Sequence, residues 1–207
     1  MLDTLPYAPD TQAKTRFASS ARTHSRKPSW KAAGQFDRLG AAYEVMQARG
    51  AKTFTLRLGP DALERVTVSA DPARVMSRRI ARAFERAGVQ VPFLAFSLEV
   101  TPNERNQLHL HGAIDLSGIS EDLAKDILRD AADRIEGRAG SRQIKIKPFD
   151  MNKGGPMGWA NYTRRGYART RRVLGQERVT YMPDLLRRLA RTSWDGSRQI
   201  KSVTHLH

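Results

Sequence analysis

Two histidines on one predicted strand are the residues of this chain whose type and spacing first suggest chemistry. His109 and His111 lie in residues 107–116, a segment of alternating residues that is rich in leucine and predicts a β-strand. Successive side chains of a strand point to opposite faces, so the two imidazoles share one face and can hold one metal ion between them. A His-x-His pair on an amphipathic strand can also be a solvated pair, and the strand alone leaves both interpretations open.

A carboxylate in phase with the histidines favours the metal interpretation. Residues 93–100 predict an antiparallel partner strand, joined to the histidine strand by the turn-like residues 101–106. The apolar residues of this partner share one face, which puts Glu99 on the face of His109 and His111. Two imidazoles and a carboxylate on adjacent strands predict a divalent-metal site with open coordination positions.

A tyrosine on a short helix is a further residue that could take part in chemistry. The helix is predicted within residues 154–166, with a proline near its start and a glycine at its end. Trp159, Tyr162 and Arg165 are three residues apart and therefore lie on one side of it. A Trp beside a Tyr is also common as plain packing. Tyr167 is five residues from Tyr162, about 140° around a helix, so we expect that the two phenols do not share a site.

Composition limits the partners and the compartment. The 207 residues include 36 Lys and Arg against 21 Asp and Glu, a net charge of +15 that favours a polyanion and above all nucleic acid. The absence of cysteine excludes disulfides and thiolate metal sites. No apolar run has the length of a bilayer span and no signal peptide is recognisable, so we expect a soluble, cytoplasmic protein without a membrane partner.

The elements that must position these groups follow the order β-α-β-β-α-β. Strands are predicted at residues 53–58, 93–100, 107–116 and 143–147, and helices at 35–48, after Asp71 and after Ser120, with a further short edge strand at 66–68. The expected fold class is α+β, a ferredoxin-like or RRM-like arrangement with an antiparallel central sheet. We expect the helices on one face of this sheet and the active site on the other.

Three regions are predicted along the chain. Residues 1–34 are predicted to be a flexible basic arm, residues 35–166 the domain that carries the histidines and Tyr162, and residues 167–207 a basic extension with a short helix starting near Pro183. In that helix the leucines at 185, 186 and 189 are expected to face inward. The cations predicted to contact DNA are Arg57, Lys145, Lys147, Arg164, Arg169, Arg171 and Arg172.

Taken together, these motifs resemble the HUH endonuclease superfamily, and most closely its rolling-circle replication initiators (Rep proteins). His109-Leu110-His111 matches the family's metal motif, residues 53–56 occupy the place of its first motif strand, and residues 162–165 match its Tyr-x-x-Lys pattern. The likeness covers about residues 51–166. Arg165 replaces the family lysine, a departure that keeps the charge without a tunable proton donor.

The resemblance implies a mechanism and a set of partners. Mg²⁺ or Mn²⁺ would be held by His109, His111 and Glu99, and Tyr162 would attack DNA to give a 5′-phosphotyrosine, assisted by Arg165. The substrate would be single-stranded or hairpin DNA. The chain has no Gly-x-x-x-x-Gly-Lys-Ser/Thr loop, so unwinding would require a separate helicase.

Three alternatives remain open from the sequence. An RNA-recognition-motif-like module has the same element order but expects aromatic residues on the third strand, where this chain has histidines and leucines. A transposase or relaxase of the same superfamily would differ in substrate and biology more than in chemistry. A member that binds DNA without cutting it would be consistent with the arginine at position 165.

Overall fold

The computed structural model describes residues 27–101, 107–137 and 142–203. Within these ranges the chain is an α+β protein with one five-stranded antiparallel sheet and seven α-helices. In chain order the elements are α1 Gln35–Gln47, β1 Lys52–Arg57, α2 Pro60–Thr67, α3 Pro72–Arg86, β2 Leu94–Val100, β3 Leu108–Ile114, α4 Glu121–Ala131, β4 Ile144–Lys147, a 3₁₀ helix Met151–Lys153, α5 Gly155–Arg164, α6 Tyr167–Leu174, β5 Thr180–Tyr181 and α7 Asp184–Val203.

The sheet has the strand order β4-β1-β3-β2-β5, with every neighbouring pair antiparallel. This order is compatible with a ferredoxin-like fold that carries an additional strand, β5, beside β2. The antiparallel pairing of β2 with β3 confirms the predicted hairpin partners and sets Glu99 directly opposite His109. The register of the hairpin therefore brings the predicted metal ligands together on neighbouring strands.

One face of the sheet packs on α2, α3 and α4 through the main hydrophobic core, which includes Phe54, Phe96, Leu98 and Leu110. Helix α3 starts as predicted, because the Asp71 side chain accepts a hydrogen bond of 3.0 Å from the backbone N–H of Arg74. This N-cap satisfies one of the free amides of the first turn.

The predicted edge strand at residues 66–68 is wrong, because residues 66 and 67 form the last turn of α2. Pro60 occupies the first turn of this helix, where its missing N–H costs no hydrogen bond. Ala62 and Val66 then lie one turn apart and are both buried in the main core. The β-branched residues 66 and 67 therefore belong to a helix with one buried face.

The prediction that helices cover one face only is also wrong. A second core lies on the face that carries the histidines, where α1 packs against α5 and α7 and against the sheet at Ala95 and Ala113. Alanines at these positions let a helix approach the strands closely. The buried Phe36 and Tyr43 of α1 then fill the space above them. The site occupies the remaining part of this face.

The predicted boundary at residue 166 does not separate two bodies. Strand β5 pairs with β2, with Tyr181 opposite Phe96, and α7 packs on α1. The predicted short last helix is 20 residues long. The C-terminal segment therefore belongs to the sheet and to the second core.

The buried side of α7 differs from the predicted one. Leu186, Ala190 and Trp194 are buried, whereas Leu185 and Leu189 are 49% and 39% exposed. The buried residues follow a four-residue spacing that continues to the tryptophan. The expectation that Leu185 and Leu189 face inward was therefore wrong, and only Leu186 was placed correctly.

The predicted basic arm lies outside the described residues over positions 1–26. Residues 27–34 pack on the folded body, where the Trp30 ring meets the Trp194 ring edge-on at 6.2 Å and the Trp194 indole N–H donates to the Pro28 carbonyl at 2.9 Å. Within the described ranges, no helix combines the length and the apolar character that a bilayer crossing demands.

Candidate metal centre

Three side chains converge on one point between β2 and β3. The Nε2 atoms of His109 and His111 are 2.7 Å apart, and the His111 Nε2 lies 3.0 Å from the Glu99 Oε2. One potential ligand atom from each residue lies within 4.8 Å of the others. Two imidazole nitrogens and a carboxylate oxygen so close together can bind one divalent cation.

The environment of these three groups suits a cation. His109 and His111 are only 8% and 5% exposed. Burial, together with the neighbouring His111, lowers the pKa of His109 to about 4, which keeps its ring neutral and its lone pair available at pH 7. The Glu99 Oε2 is buried and accepts no hydrogen bond of good geometry among the described residues, although the His111 Nε2 lies 3.0 Å away. A buried carboxylate oxygen without a donor is costly, and a metal ion would compensate it.

A threonine on β1 fixes the orientation of His111. The Thr55 hydroxyl lies 3.1 Å from the His111 Nδ1, and the two residues are cross-strand partners in the β1–β3 pair. With Nδ1 occupied in this way, Nε2 points into the cluster. Outer contacts of this kind orient metal-binding histidines and raise their affinity.

Gly166, where α5 passes into α6, lies directly beside Glu99. A Cβ atom on Gly166 would lie 2.5 Å from the Cγ and 2.6 Å from the Oε1 of Glu99. No side chain larger than hydrogen fits there unless the carboxylate moves. Gly166 therefore leaves room for the third metal ligand.

Helix α5 presents Tyr162 to the metal centre. The rings of Trp159 and Tyr162 stack at 5.3 Å with an interplanar angle of 6°, and the Tyr162 ring stands edge-on to His111 at 5.4 Å. The Trp159 indole N–H donates to the Gly112 carbonyl of β3 at 3.0 Å, which anchors the helix on the sheet. Tyr162 is 45% exposed and can meet a large substrate.

Cationic side chains surround the phenol. A cavity of about 550 Å³, which we call the tyrosine cavity, is lined by Tyr162, His111 and Trp159 together with Lys145, Lys147 and Arg165. Lys145 and Lys147 alternate with buried residues on β4 and so point to the same side of the sheet. An anionic ligand in this cavity would lie beside both the phenol and His111.

The other predicted cations do not line the tyrosine cavity. Arg57 is exposed at the end of β1, opposite His109 in the strand register. Arg164, Arg169 and Arg172 are exposed on α5 and α6 and do not line the tyrosine cavity. Arg171 forms an ion pair with Glu177, and its guanidinium lies 5.2 Å from the centre of the Tyr167 ring.

The two tyrosines are separate, as the sequence predicted. The Tyr167 hydroxyl donates to the Gln35 Oε1 at 3.0 Å, its ring packs edge-on to Phe36, and it lines a different cavity. The sequence interpretation missed Lys153 and Asp150, which also line the tyrosine cavity. Both lie in the 3₁₀ region after β4, where no periodic pattern shows which way a side chain points.

Comparisons of the chain with protein-family models, with curated proteins and with solved structures find no significant match. The chemistry of the site therefore rests on its own residues: a buried His-His-Glu cluster, an exposed phenol beside it, and lysine and arginine side chains around both.

Proposed function

We propose that this protein is a metal-dependent endonuclease of the HUH type, which nicks and rejoins single-stranded or hairpin DNA through a covalent phosphotyrosine. The observation that carries the proposal is the position of Tyr162, whose exposed ring stands 5.4 Å from that of the metal-ligand candidate His111 inside a cationic cavity. The net charge of +15 supports a polyanionic substrate.

Each residue of the site has a separate role in the proposed reaction. His109, His111 and Glu99 would hold Mg²⁺ or Mn²⁺, which when bound supplies Lewis-acid polarisation of the scissile phosphate. The Tyr162 Oη attacks the phosphorus in line, a bond forms between them, and the bond from phosphorus to the 3′-oxygen of the preceding nucleotide breaks. The phenol proton is released and the leaving oxygen takes up a proton as the 3′-hydroxyl. Attack by that hydroxyl reverses the step and rejoins the strand.

Arg165 stabilises charge in this scheme. It lines the same cavity as Tyr162, and its guanidinium stays protonated, so it offsets negative charge on the phosphate and the phenolate but transfers no proton. Lys145 and Lys147 hold the phosphates of neighbouring nucleotides.

The biological role that we propose is the initiation of rolling-circle replication in the cytoplasm, with a separate helicase to unwind the duplex. The histidine motif precedes the tyrosine helix in this chain, as in replication initiators, whereas many relaxases have the opposite order. The βαββαβ core of the ferredoxin-like arrangement, with β5 as an addition, is part of the same proposal.

The experiment that tests the function is a cleavage assay on random-sequence single strands with Mn²⁺. Wild-type protein should release a product with a free 3′-hydroxyl and retain the other fragment covalently. Tyr162→Phe should abolish both products and leave the affinity for single-stranded DNA within about twofold of wild type, since a single hydroxyl contributes little to a polymer contact. Tyr167→Phe is the matched control and should cleave normally, because that phenol bonds to Gln35. Adducts formed by Tyr162→Phe but not by Tyr167→Phe would reassign the nucleophile.

A second candidate is a protein of the same fold that binds DNA without cutting it. The observation that favours it is Arg165, which stands where the resemblance expects lysine and cannot donate a proton. In that case the wild-type protein would bind the strands and Mn²⁺ and yield no nicked product, and Arg165→Lys would be the variant that restores cleavage.

A further inference from the structure

A second cavity lies at the opposite edge of the sheet from the tyrosine cavity. Its volume is about 660 Å³, and its walls come from α3, from residues 177–184 around β5 and from the start of α7. We call it the β5 cavity. None of the metal-ligand candidates lines it.

The carboxylates in its wall already have partners. Asp71 also caps α3, and each of the three acids forms an ion pair: Asp71 with Arg178, Asp184 with Arg187 and Glu177 with Arg171. The cavity therefore retains little negative charge to repel an anion.

Two further arginines in the wall have no ion pair or hydrogen bond through their side chains among the described residues. Arg74 and Arg78 are exposed and lie four residues apart on α3, one above the other on the helix surface. Like charges at this spacing repel each other and destabilise a helix, and an anion bound between them removes this cost. Arg74 also lies in the first turn of α3, where the helix dipole adds positive potential.

Aromatic rings accompany these cations. Tyr181, on β5, and Tyr167 line the same cavity, and Tyr181 is half-buried against Phe96 with a ring separation of 5.4 Å. Unpaired guanidinium groups beside aromatic side chains are the combination that binds single strands, with cations on phosphates and rings against bases. An acidic protein segment would form ion pairs with the arginines but would have no bases to stack on the aromatic rings.

We propose that the β5 cavity is a second binding site for single-stranded nucleic acid, with Arg74 and Arg78 as phosphate contacts and Tyr181 as a surface for a base. The identity of the polymer rests on the proposed function; the site itself does not involve the metal or Tyr162. The two cavities lie at opposite edges of the five-stranded sheet, so at ~4.8 Å per strand spacing they are on the order of 20 Å apart. A short strand can occupy one cavity, and only a longer one reaches both.

Binding of oligonucleotides of two lengths, without metal, tests this proposal. Site sizes of such proteins run from about 4 to 16 nucleotides, so labelled strands of about 4 and about 20 nucleotides serve as probes. The Arg74→Ala/Arg78→Ala double variant should bind the long strand about tenfold more weakly, since hydrogen bonds to charged groups contribute strongly. Its log-log salt slope should fall by roughly 0.7 for each phosphate that the variant no longer neutralises.

The matched control is Arg86→Ala, which removes an exposed arginine of the same helix that does not line the cavity. It should leave affinity within about twofold and alter the salt slope by less than the value for one phosphate. We expect the short strand to occupy the tyrosine cavity, so its affinity for the Arg74→Ala/Arg78→Ala variant should lie within about twofold of wild type. The Lys145→Ala/Lys147→Ala variant, which alters the tyrosine cavity, should bind the short strand more weakly.

An unchanged affinity and slope for the long strand in a double variant that circular dichroism shows to be folded would overturn the second site. An equal decrease in affinity in Arg86→Ala would also overturn it, because the loss would then come from nonspecific charge. Competition with the long strand by inorganic phosphate at equal concentration would overturn it as well, because the cavity would then be a site for small anions. Failure of cleavage by the wild-type protein would overturn the endonuclease proposal and leave this measurement unaffected, because binding is recorded without metal.

Discussion

At the scale of single residues, the centre depends on how each ring nitrogen of His111 is used. Nδ1 faces the Thr55 hydroxyl at 3.1 Å, while Nε2 faces both His109 and the Glu99 carboxylate. Rotation of the ring would therefore break one of these interactions. Its orientation is set by β1, a strand that contributes none of the three ligands.

We therefore predict a graded decrease in metal affinity. His111→Ala should abolish measurable Mn²⁺ binding, Glu99→Gln should weaken it less because an amide still offers an oxygen, and Thr55→Val should weaken it about tenfold or more, as removal of an outer hydrogen bond does in metal proteins. Titration calorimetry with Mn²⁺ measures all three. Thr53→Val is the control, because the Thr53 hydroxyl donates to the Lys147 carbonyl and does not touch a histidine. An unchanged Mn²⁺ affinity in His111→Ala would show that these residues do not form a metal centre.

The lowered pKa of His109 predicts how the metal-free protein responds to acid. Its pKa is about 4 in the folded state, because of burial and of His111, against about 6.5 in an unfolded chain. Between these values the unfolded chain takes up a proton that the folded protein does not. The contribution of His109 to the free energy of unfolding is therefore fully present above pH 6.5 and is lost as the pH drops towards 4.

Thermal unfolding in the presence of a chelator, at several pH values from 7 to 4, tests this sign. The melting temperature of wild type should fall more steeply over that window than that of His109→Gln, whose amide does not titrate. Since carboxylates away from the metal centre act on both proteins alike, the difference between the two curves reports His109 and its interactions with Glu99 and His111. Parallel curves would show that His109 does not resist protonation.

At the scale of elements, the junction between α5 and α6 controls the third ligand. We predict that Gly166→Ala weakens Mn²⁺ binding about tenfold or more, because its Cβ would lie 2.5 Å from the Glu99 Cγ and push the carboxylate aside. Calorimetry reports the affinity, and circular dichroism confirms the fold.

The control for this substitution is Gly196→Ala on α7, where a Cβ meets no atom within 4 Å. Alanine in an exposed helix interior should stabilise the protein by up to ~1 kcal/mol without any effect on the metal. An equal decrease in affinity in both variants would mean that the space left by Gly166 beside Glu99 does not position the ligand.

The strands of the site were predictable because alternation is a local signal. The phase of Glu99 relative to Leu98 and of His109 relative to Leu110 followed from the sequence, and the hairpin register placed them opposite each other. A short-range pattern fixes which face a strand residue occupies whatever the rest of the fold does.

The surroundings of the site depended on tertiary packing and were not predictable in the same way. Ala95 and Ala113 have small side chains that suit either a solvent-facing position or close contact with a helix, and only the packing of α1 decides between them. The same holds for α7, where Leu185 and Leu186 are equally apolar and the position of Trp194 selects the buried side.

At the scale of the whole molecule, the C-terminal segment is part of the fold that supports the site. Strand β5 extends the sheet and α7 packs on α1, which in turn packs on the tyrosine helix α5. Removal of residues 167–207 would therefore expose the second core and would not isolate the contribution of the basic side chains. Point substitutions of single arginines separate charge from folding.

The last prediction concerns Trp194, which joins α7 to the N-terminal residues 27–34. It is 4% exposed, meets Trp30 edge-on, carries the Lys27 ammonium 3.7 Å from its ring centre, and donates to the Pro28 carbonyl. Trp194→Ala should lower the free energy of unfolding by about 3–5 kcal/mol, the range for truncation of large buried aromatics.

Trp194→Phe keeps a ring and removes the donor, so it should cost less than Trp194→Ala, with about 1 kcal/mol of its effect coming from the hydrogen bond. Leu189→Ala, on the exposed side of the same helix, should cost under about 1 kcal/mol. Urea unfolding followed by circular dichroism measures all three. If Leu189→Ala destabilised the protein more than Trp194→Ala, the buried side of α7 would be the one that carries Leu185 and Leu189, as the leucine spacing predicted. Residues 27–34 would then not belong to the core that holds α1 against the tyrosine helix α5.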